Sequence, residues 1–428
     1  MREDFTLLLL FVLQGVASAF IPTGIAATVR AQPFASTSRR LSSSASSGRL
    51  PSTTSPVILF AKGGAHVEAT ATLSTTATTS MDKQQLLPAA LSSTWATVAV
   101  ALPVLTLSFI MRRVRRRSAA ARAVETSFRG KVVWITGASS GIGRALALAF
   151  AEKGAKLVLS ARREAELKTV AAECAAAAST AATASSTTVE SVARVLPFDL
   201  AEDAAALQAK GAKAAALWGV EGVDILVNNG GISSRSAAEK TSLDVDQKVM
   251  AIDYLAPVAL TKGVLPAMLA RGEKTAASKK PWKERAVGGA GHVVVVSSVQ
   301  GRLAIPFRTS YAAAKHALHG FFEALRPEVA ARDVKVTLVC PGYVKTSLSL
   351  NAVTGSGKAY AKMDDSTAKG MEPAALADAI LAAVATGEHE LMACDTKTKA
   401  AVIARTLLPA PLASYMVSRA KKGWKDQQ

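Results

Sequence analysis

KVVWITGASSGIG, Lys131 to Gly143, decides the fold. An apolar run ends at Thr136, a glycine loop follows, and Arg144 to Lys153 carries the periodicity of a helix. Strand, glycine turn and helix in that order are the setting in which a loop cradles a dinucleotide. Gly137 lets the chain turn tightly, Gly141 lets the backbone approach a pyrophosphate, and Gly143 lets the helix pack closely while its N-terminus faces negative charge.

Strand-like runs recur downstream at Ala155 to Ser160, Arg194 to Leu200, Val223 to Gly231, Val293 to Val296 and Val334 to Val339, separated by helical stretches. The alternation predicts an α/β fold of the Rossmann type. It is doubly wound, with a mostly parallel sheet of about seven strands and helices on both faces. A helix is read around Lys248 to Leu265. Ala175 to Thr188, rich in Ala, Ser and Thr, is read as a loop expansion, and Arg271 to Gly291 as an inserted surface loop.

The second informative stretch is VVVVSSVQGRLAIPFRTSYAAAKH, Val293 to His316. The valines read as a buried strand that delivers Ser298, and the Ala-rich run beginning at Tyr311 reads as a helix. Residues four apart share a helical face, so Tyr311 and Lys315 point the same way. A free phenol titrates near ~10, and a neighbouring cation stabilises its phenolate, which makes a tyrosine usable as a general acid or base. A Tyr-x-x-x-Lys string alone is weak evidence; the serine and the glycine loop upstream give it weight.

The chain has 428 residues and a formal net charge of +19, unevenly spread. Residues 1–130 carry +9 and residues 396–428 carry +6, leaving +4 for the body. Basic flanks on a near-neutral body argue for membrane or targeting roles and against nucleic acid, which calls for a charged face on the folded domain. Cys174, Cys340 and Cys394 are scattered, giving neither a disulfide framework nor a metal-ligand set.

The N-terminal third reads as targeting sequence. Residues 1–65 combine an apolar run from Phe5 to Val12, small residues at Ala17, Ser18 and Ala19, and a Ser-, Thr- and Arg-rich stretch without an acid from Phe5 to Val67. That is a signal peptide followed by transit-like composition, similar to the bipartite presequences of secondary plastids; a plain signal peptide with a Ser-rich linker is the alternative. A linker, 66–90, leads to 21 uncharged residues, Leu91 to Met111, long enough to span a bilayer core. Arg112 to Arg117 then form a positive flank within the 112–130 linker. The expected location is a single-pass membrane protein of the endoplasmic reticulum or plastid envelope, with the catalytic domain at 131–395 and a basic amphipathic tail at 396–428. The tail reads either as an interfacial helix or as core packing with a basic end.

TGxxxGxG at Thr136 to Gly143, with Ser297-Ser298 separated by twelve residues from Tyr311-x-x-x-Lys315, resembles the short-chain dehydrogenase/reductase family from Lys131 to about Cys394. The resemblance implies hydride transfer with a nicotinamide cofactor. Ser298 orients the carbonyl, Tyr311 moves the proton, and Lys315 assists it while contacting the ribose. It also implies cofactor contacts at Gly137, Ser139, Ser140, Gly141, Ile142, Gly143, Asp199, Leu200, Asn228, Gly230, Tyr311, Lys315, Pro341, Gly342, Val344 and Thr346. Asn228 is expected to help hold the sheet. Gly230 takes the place of the more usual alanine. No acid follows the second strand, whereas Arg162 stands there, which favours NADP(H). Asp253 departs from the family, whose asparagine at this place serves a water relay through its main chain. DVDQKVM, SVQGRLAIPFR and PGYVKTSLSLNAVT resemble a narrower group, the SDR family member seven proteins, implying membrane-bound reduction of lipophilic carbonyls. The partners expected are a lipophilic carbonyl or alcohol and membrane lipid, with a homodimer left open. A plastid pigment or fatty-acyl reductase, and a catalytically idle NADPH-binding membrane protein, are the competing readings.

Overall fold

A computed structural model of the chain describes residues 57–60, 66–69, 124–125, 127–181, 188–276 and 289–424. The chain divides into two units, Met1–Arg112 and Arg113–Gln428. In the first, β1 (Val57–Phe60) and β2 (His66–Ala69) pair antiparallel. The span expected at Leu91 to Met111 lies outside the described residues.

The second unit is built on seven parallel strands: β3 (Val132–Thr136), β4 (Lys156–Ser160), β5 (Ala193–Val195), β6 (Ile225–Asn228), β7 (Gly291–Val296), β8 (Val334–Pro341) and β9 (Glu390–Ala393). Their order is β5-β4-β3-β6-β7-β8-β9. Strand order reverses at β3, so the chain leaves β3 and β6 toward opposite halves of the sheet, and a crevice opens at their carboxyl ends.

Burial explains the uninterrupted apolar runs. Val133 and Ile135 of β3, with Val294 and Val296 of β7, enter one cluster, and Val132, Trp134, Val293 and Val295 enter the other. The first cluster is closed by α1 (Gly141–Glu152), α2 (Glu164–Ala181) and α7 (Pro373–Thr386); the second by α3 (Ala204–Ala216), α5 (Ala256–Ala276) and α6 (Thr309–Ala330). With helices on both faces, each strand must be apolar on both sides.

Four local readings are corrected. The third strand is regular only over Ala193–Val195; beyond it Leu196 N and Phe198 N still donate to Leu159 O and Ala161 O of the neighbouring segment, at 2.9 and 3.1 Å, and Pro197 takes the alternate position of this edge strand, where no N–H toward β4 is needed. Ala175 to Ala181 continues α2 instead of forming a loop: alanine has the highest helix propensity, and Cys174 and Ala175 are buried against the sheet. Residues 182–187 lie outside the described residues. The inserted segment begins as helix, since α5 runs to Ala276, and 277–288 are not among the described residues. Finally, the helix expected at Lys248 to Leu265 is broken into α4 (Leu243–Met250), a wide π turn at Ala251–Leu255, and α5.

Among the described residues one helical stretch, 243–274, is long and apolar enough to cross a bilayer. Its Val249, Leu260, Val264 and Met268 pack into the body, so the core accounts for that composition. The tail forms α8 (Thr396–Leu407) and α9 (Pro409–Gly423), neither of which buries a residue. Core packing is therefore not its role.

Candidate active site

The loop after β3 has the conformation its glycines permit. Gly137 and Gly141 have φ of +65° and +54°, where any other residue is strained. A Cβ at Gly137 would lie 2.7 Å from Gly230 Cα, and one at Gly143 would lie 2.2 Å from Gly137 O. Gly143 therefore serves helix packing and does not line the cavity described below. Asn229, which the sequence reading passed over in favour of its neighbours, pins this loop: its Nδ2 donates to Thr136 O at 3.0 Å and to Gly137 O at 3.3 Å. The doubled asparagine in VDILVNNGG was the available signal. Asn228 is buried and donates to Thr261 Oγ1 at 3.1 Å, tying β6 to α5 away from the cavity. A Cβ at Gly230 would lie 2.6 Å from Leu200 Cδ1, so an alanine here would need that leucine side chain to shift.

A cavity of about 790 Å³ opens at the carboxyl ends of the strands. Gly137, Ser139, Ser140, Gly141 and Ile142 form one wall, with Arg162, Asp199, Leu200 and Gly230 beside them. Pro341, Gly342, Val344 and Thr346 border it from the end of β8. The start of α1 faces it with no acid in the first turn, which suits an anion. These features fit a dinucleotide: backbone amides at one end, no room for a side chain at the loop's glycines, and guanidinium groups at the edge. Arg163 Nη2 reaches Ser139 Oγ at 3.4 Å, and Arg162 lies 3.9 Å from Asp199 in an exposed pair.

Ser298, Tyr311, Lys315 and Asp253 line the same cavity, each 6 % exposed or less. Ser298 caps the short turn Val299–Gly301, its Oγ accepting from Gln300 N at 3.1 Å. Tyr311 and Lys315 occupy successive turns of α6, with Lys315 Nζ 5.4 Å from the Tyr311 ring centroid. Lys315 Nζ also donates to Val296 O at 3.4 Å.

Asp253 enters from the π turn, a distortion that often re-aims functional side chains. Its Oδ1 accepts from Ile232 N at 2.7 Å, and its Oδ2 lies 3.2 Å from Lys315 Nζ. Burial pushes the Asp253 carboxyl up, against the pull of the lysine. Burial opposes the Lys315 charge too, but the Asp253 carboxylate and Tyr311 outweigh it, so the ammonium is held above the ordinary lysine range. We read the pair as ionised, because a neutral acid would leave a buried cation without its nearest counter-charge.

Sequence reasoning did not find the group at the substrate end. Arg235 donates to Asp364 Oδ2 from Nε at 2.9 Å and from Nη2 at 2.7 Å, and Arg308 reaches the same oxygen at 3.0 Å. Both arginines border the cavity. Their separation from Asp364 along the chain, 129 and 56 residues, leaves no local pattern to read.

Residues 131–356 match the family model described as short chain dehydrogenase. The chain is a short-chain dehydrogenase/reductase. It is 41% identical over 324 residues to a dehydrogenase/reductase SDR family protein 7-like of Anopheles gambiae, covering 76% of this chain and 92% of that one. Dehydrogenase/reductase SDR family member 7B of Bos taurus is 42% identical over 299 residues, 70% of this chain and 84% of the relative. Among solved structures, a short-chain dehydrogenase from Streptomyces avermitilis superposes with a TM-score of 0.50 at 26% identity, over 68% of this chain and 100% of that one. A Burkholderia phymatum family member in complex with NAD gives 0.52 at 24%, over 65% and 94%. As a member of this family the protein is an oxidoreductase, and its relatives place it in the member seven group.

Proposed function

We propose that this short-chain dehydrogenase/reductase interconverts a lipophilic ketone or aldehyde and its alcohol with NADP(H), and that the chain is held at a membrane. The convergence of Ser298, Tyr311 and Lys315 on the cavity that carries the glycine loop is the observation behind the chemistry. Bound nicotinamide would supply or take the hydride. The loop from Gly137 to Ile142 and the start of α1 would hold the pyrophosphate, and Arg162 and Arg163 a 2'-phosphate. Ser298 Oγ orients and polarises the carbonyl, Tyr311 gives the proton to its oxygen in reduction and takes it back in oxidation, and Lys315 stabilises the phenolate left behind. Asp253 keeps Lys315 charged.

The membrane part of the reading is supported by the apolar span at Leu91 to Met111 and its arginine flank. The Asp253–Lys315 ion pair favours a second reading, an idle NADPH-binding protein, because it engages the lysine that the tyrosine needs. One experiment separates the two. The full-length protein in detergent is supplied with NADPH and a panel of long-chain ketones and aldehydes, and nucleotide oxidation is followed. Turnover of any member establishes the enzyme; NADPH binding without turnover across the panel supports the idle reading. NADH turning over as well as NADPH would overturn the cofactor assignment.

A further inference from the structure

Eleven of the fourteen large apolar side chains exposed among the described residues lie between 343 and 424. The other three, Val220, Leu243 and Leu255, are scattered singly, as on any soluble surface. The concentrated set falls on two segments that flank the cavity. Tyr343, Leu348 and Leu350 belong to the segment after β8 and line the cavity while more than a third exposed. Ile403, Leu407, Leu408, Tyr415, Val417 and Trp424 belong to the α8–α9 pair, where Leu407 is 70 % exposed.

The pair sits at the cavity mouth. Tyr415, Met416 and Arg419 of α9, and Lys397 and Thr398 of α8, border the cavity. Two attachments fix it to the body: Arg405 Nη1 meets His316 Nε2 at 2.9 Å, and Trp424 packs edge-on against Phe307 with ring centroids 5.2 Å apart. Its inner rows are small or half-buried, while Lys399, Ile403 and Leu407 repeat every four residues on the outside of α8. Between 396 and 424 stand six basic residues and no acid. An apolar stripe bordered by unopposed cations matches an anionic bilayer surface, which takes the apolar groups into its interface and attracts the charges. A second protein copy bearing the same positive charge would be repelled by it.

We propose that the α8–α9 pair docks on an anionic bilayer and sets the mouth of the substrate cavity in the lipid interface, so that a lipophilic carbonyl enters from the membrane. Delivery of the carbonyl rests on the function proposed above; docking does not.

The full-length chain with Cys394→Ser retains only the buried Cys174 and Cys340 as thiols. A polarity-sensitive fluorophore is then attached at Val417→Cys, Ile403→Cys or Val220→Cys, and the protein is reconstituted into phosphatidylcholine vesicles containing phosphatidylserine and brominated lipid. The expected result is strong quenching at 417 and 403 and none at 220, reduced by Lys421→Glu with Lys422→Glu and by added salt. Absence of quenching at 417 and 403 in vesicle-bound protein overturns docking, including the case in which a second copy covers the pair. Because quenching requires no turnover, it stands or falls apart from the carbonyl reading. For delivery, Leu407→Glu with Leu408→Glu, residues outside the cavity lining, should raise KM for a vesicle-dissolved ketone about tenfold. The KM for a small water-soluble ketone should not move. An unchanged KM for the vesicle-dissolved ketone overturns delivery.

Discussion

Asp253 Oδ2 lies 3.2 Å from Lys315 Nζ, and both side chains are sealed from water, at 0 % and 6 % exposure. Burial pulls the lysine pKa down, and the carboxylate is the largest of the influences that raise it. Asp253→Asn removes this support, so Lys315 loses its proton at lower pH and the alkaline limb of the pH–rate profile moves downward. Reduction at neutral pH changes less, since the ammonium is still protonated there. Profiles of the parent and of Asp253→Asn at low ionic strength check this; superimposable alkaline limbs would show that Asp253 does not act through Lys315.

Tyr311 is the proton donor of the proposed mechanism. Tyr311→Phe should lower kcat by ~10²–10⁴-fold while NADPH affinity stays close to the parent value. Steady-state kinetics with a nucleotide-binding titration test both halves. Near-normal turnover would assign the proton to another group.

Arg162 is 69 % exposed on its side chain and Arg163 stands next to it, so in the proposed NADP(H) reading each would contribute modestly to holding the 2'-phosphate. Arg162→Ala should weaken NADPH by about tenfold and leave NADH unchanged, with a larger selective loss in the double variant Arg162→Ala, Arg163→Ala. Equal weakening of both nucleotides, read by fluorescence titration, would show that these guanidiniums do not read the phosphate.

His292 is fully buried on β7, accepting or donating at Thr337 Oγ1 over 2.9 Å, and burial pushes its imidazole down to about 3. The unfolded chain takes up a proton near pH ~6.5 that the folded chain refuses. Stability from this residue is thus complete above ~6.5 and is lost progressively as pH falls toward the folded value, by a total on the order of 5 kcal/mol. Urea unfolding of the parent and His292→Val between pH 7 and 4.5 should show a shallower acid loss in the variant. Parallel curves would mean that other groups carry the acid sensitivity.

Asp364 is the shared counter-charge of Arg235 and Arg308, and although burial opposes it, Arg235 holds its carboxyl below the ordinary range. Asp364→Asn leaves the buried Arg235 and the partly buried Arg308 facing each other and should cost about 3 kcal/mol of stability. Calorimetry or urea unfolding measures it; a loss under a few tenths of that would place the arginines in contact with water.

How much the sequence decided by itself follows the range of the interactions. The Val-rich runs fixed both-face burial because side chains alternate along a strand regardless of what covers them. The glycine loop was legible because φ restrictions act residue by residue, and Tyr311 with Lys315 because helix geometry sets the four-residue repeat. In the alanine run that continues α2 the local signal was alanine's helix propensity, and full burial is reached only at its start, by Cys174 and Ala175. The tertiary structure alone decided that Asp253, on a π turn, would reach Lys315 62 residues away, that Arg235 and Arg308 would meet on Asp364, and that α8 and α9 would leave their apolar side chains exposed at the cavity mouth. Those contacts join segments whose order along the chain says nothing of their separation in space; only packing of the helices onto the sheet brings them together.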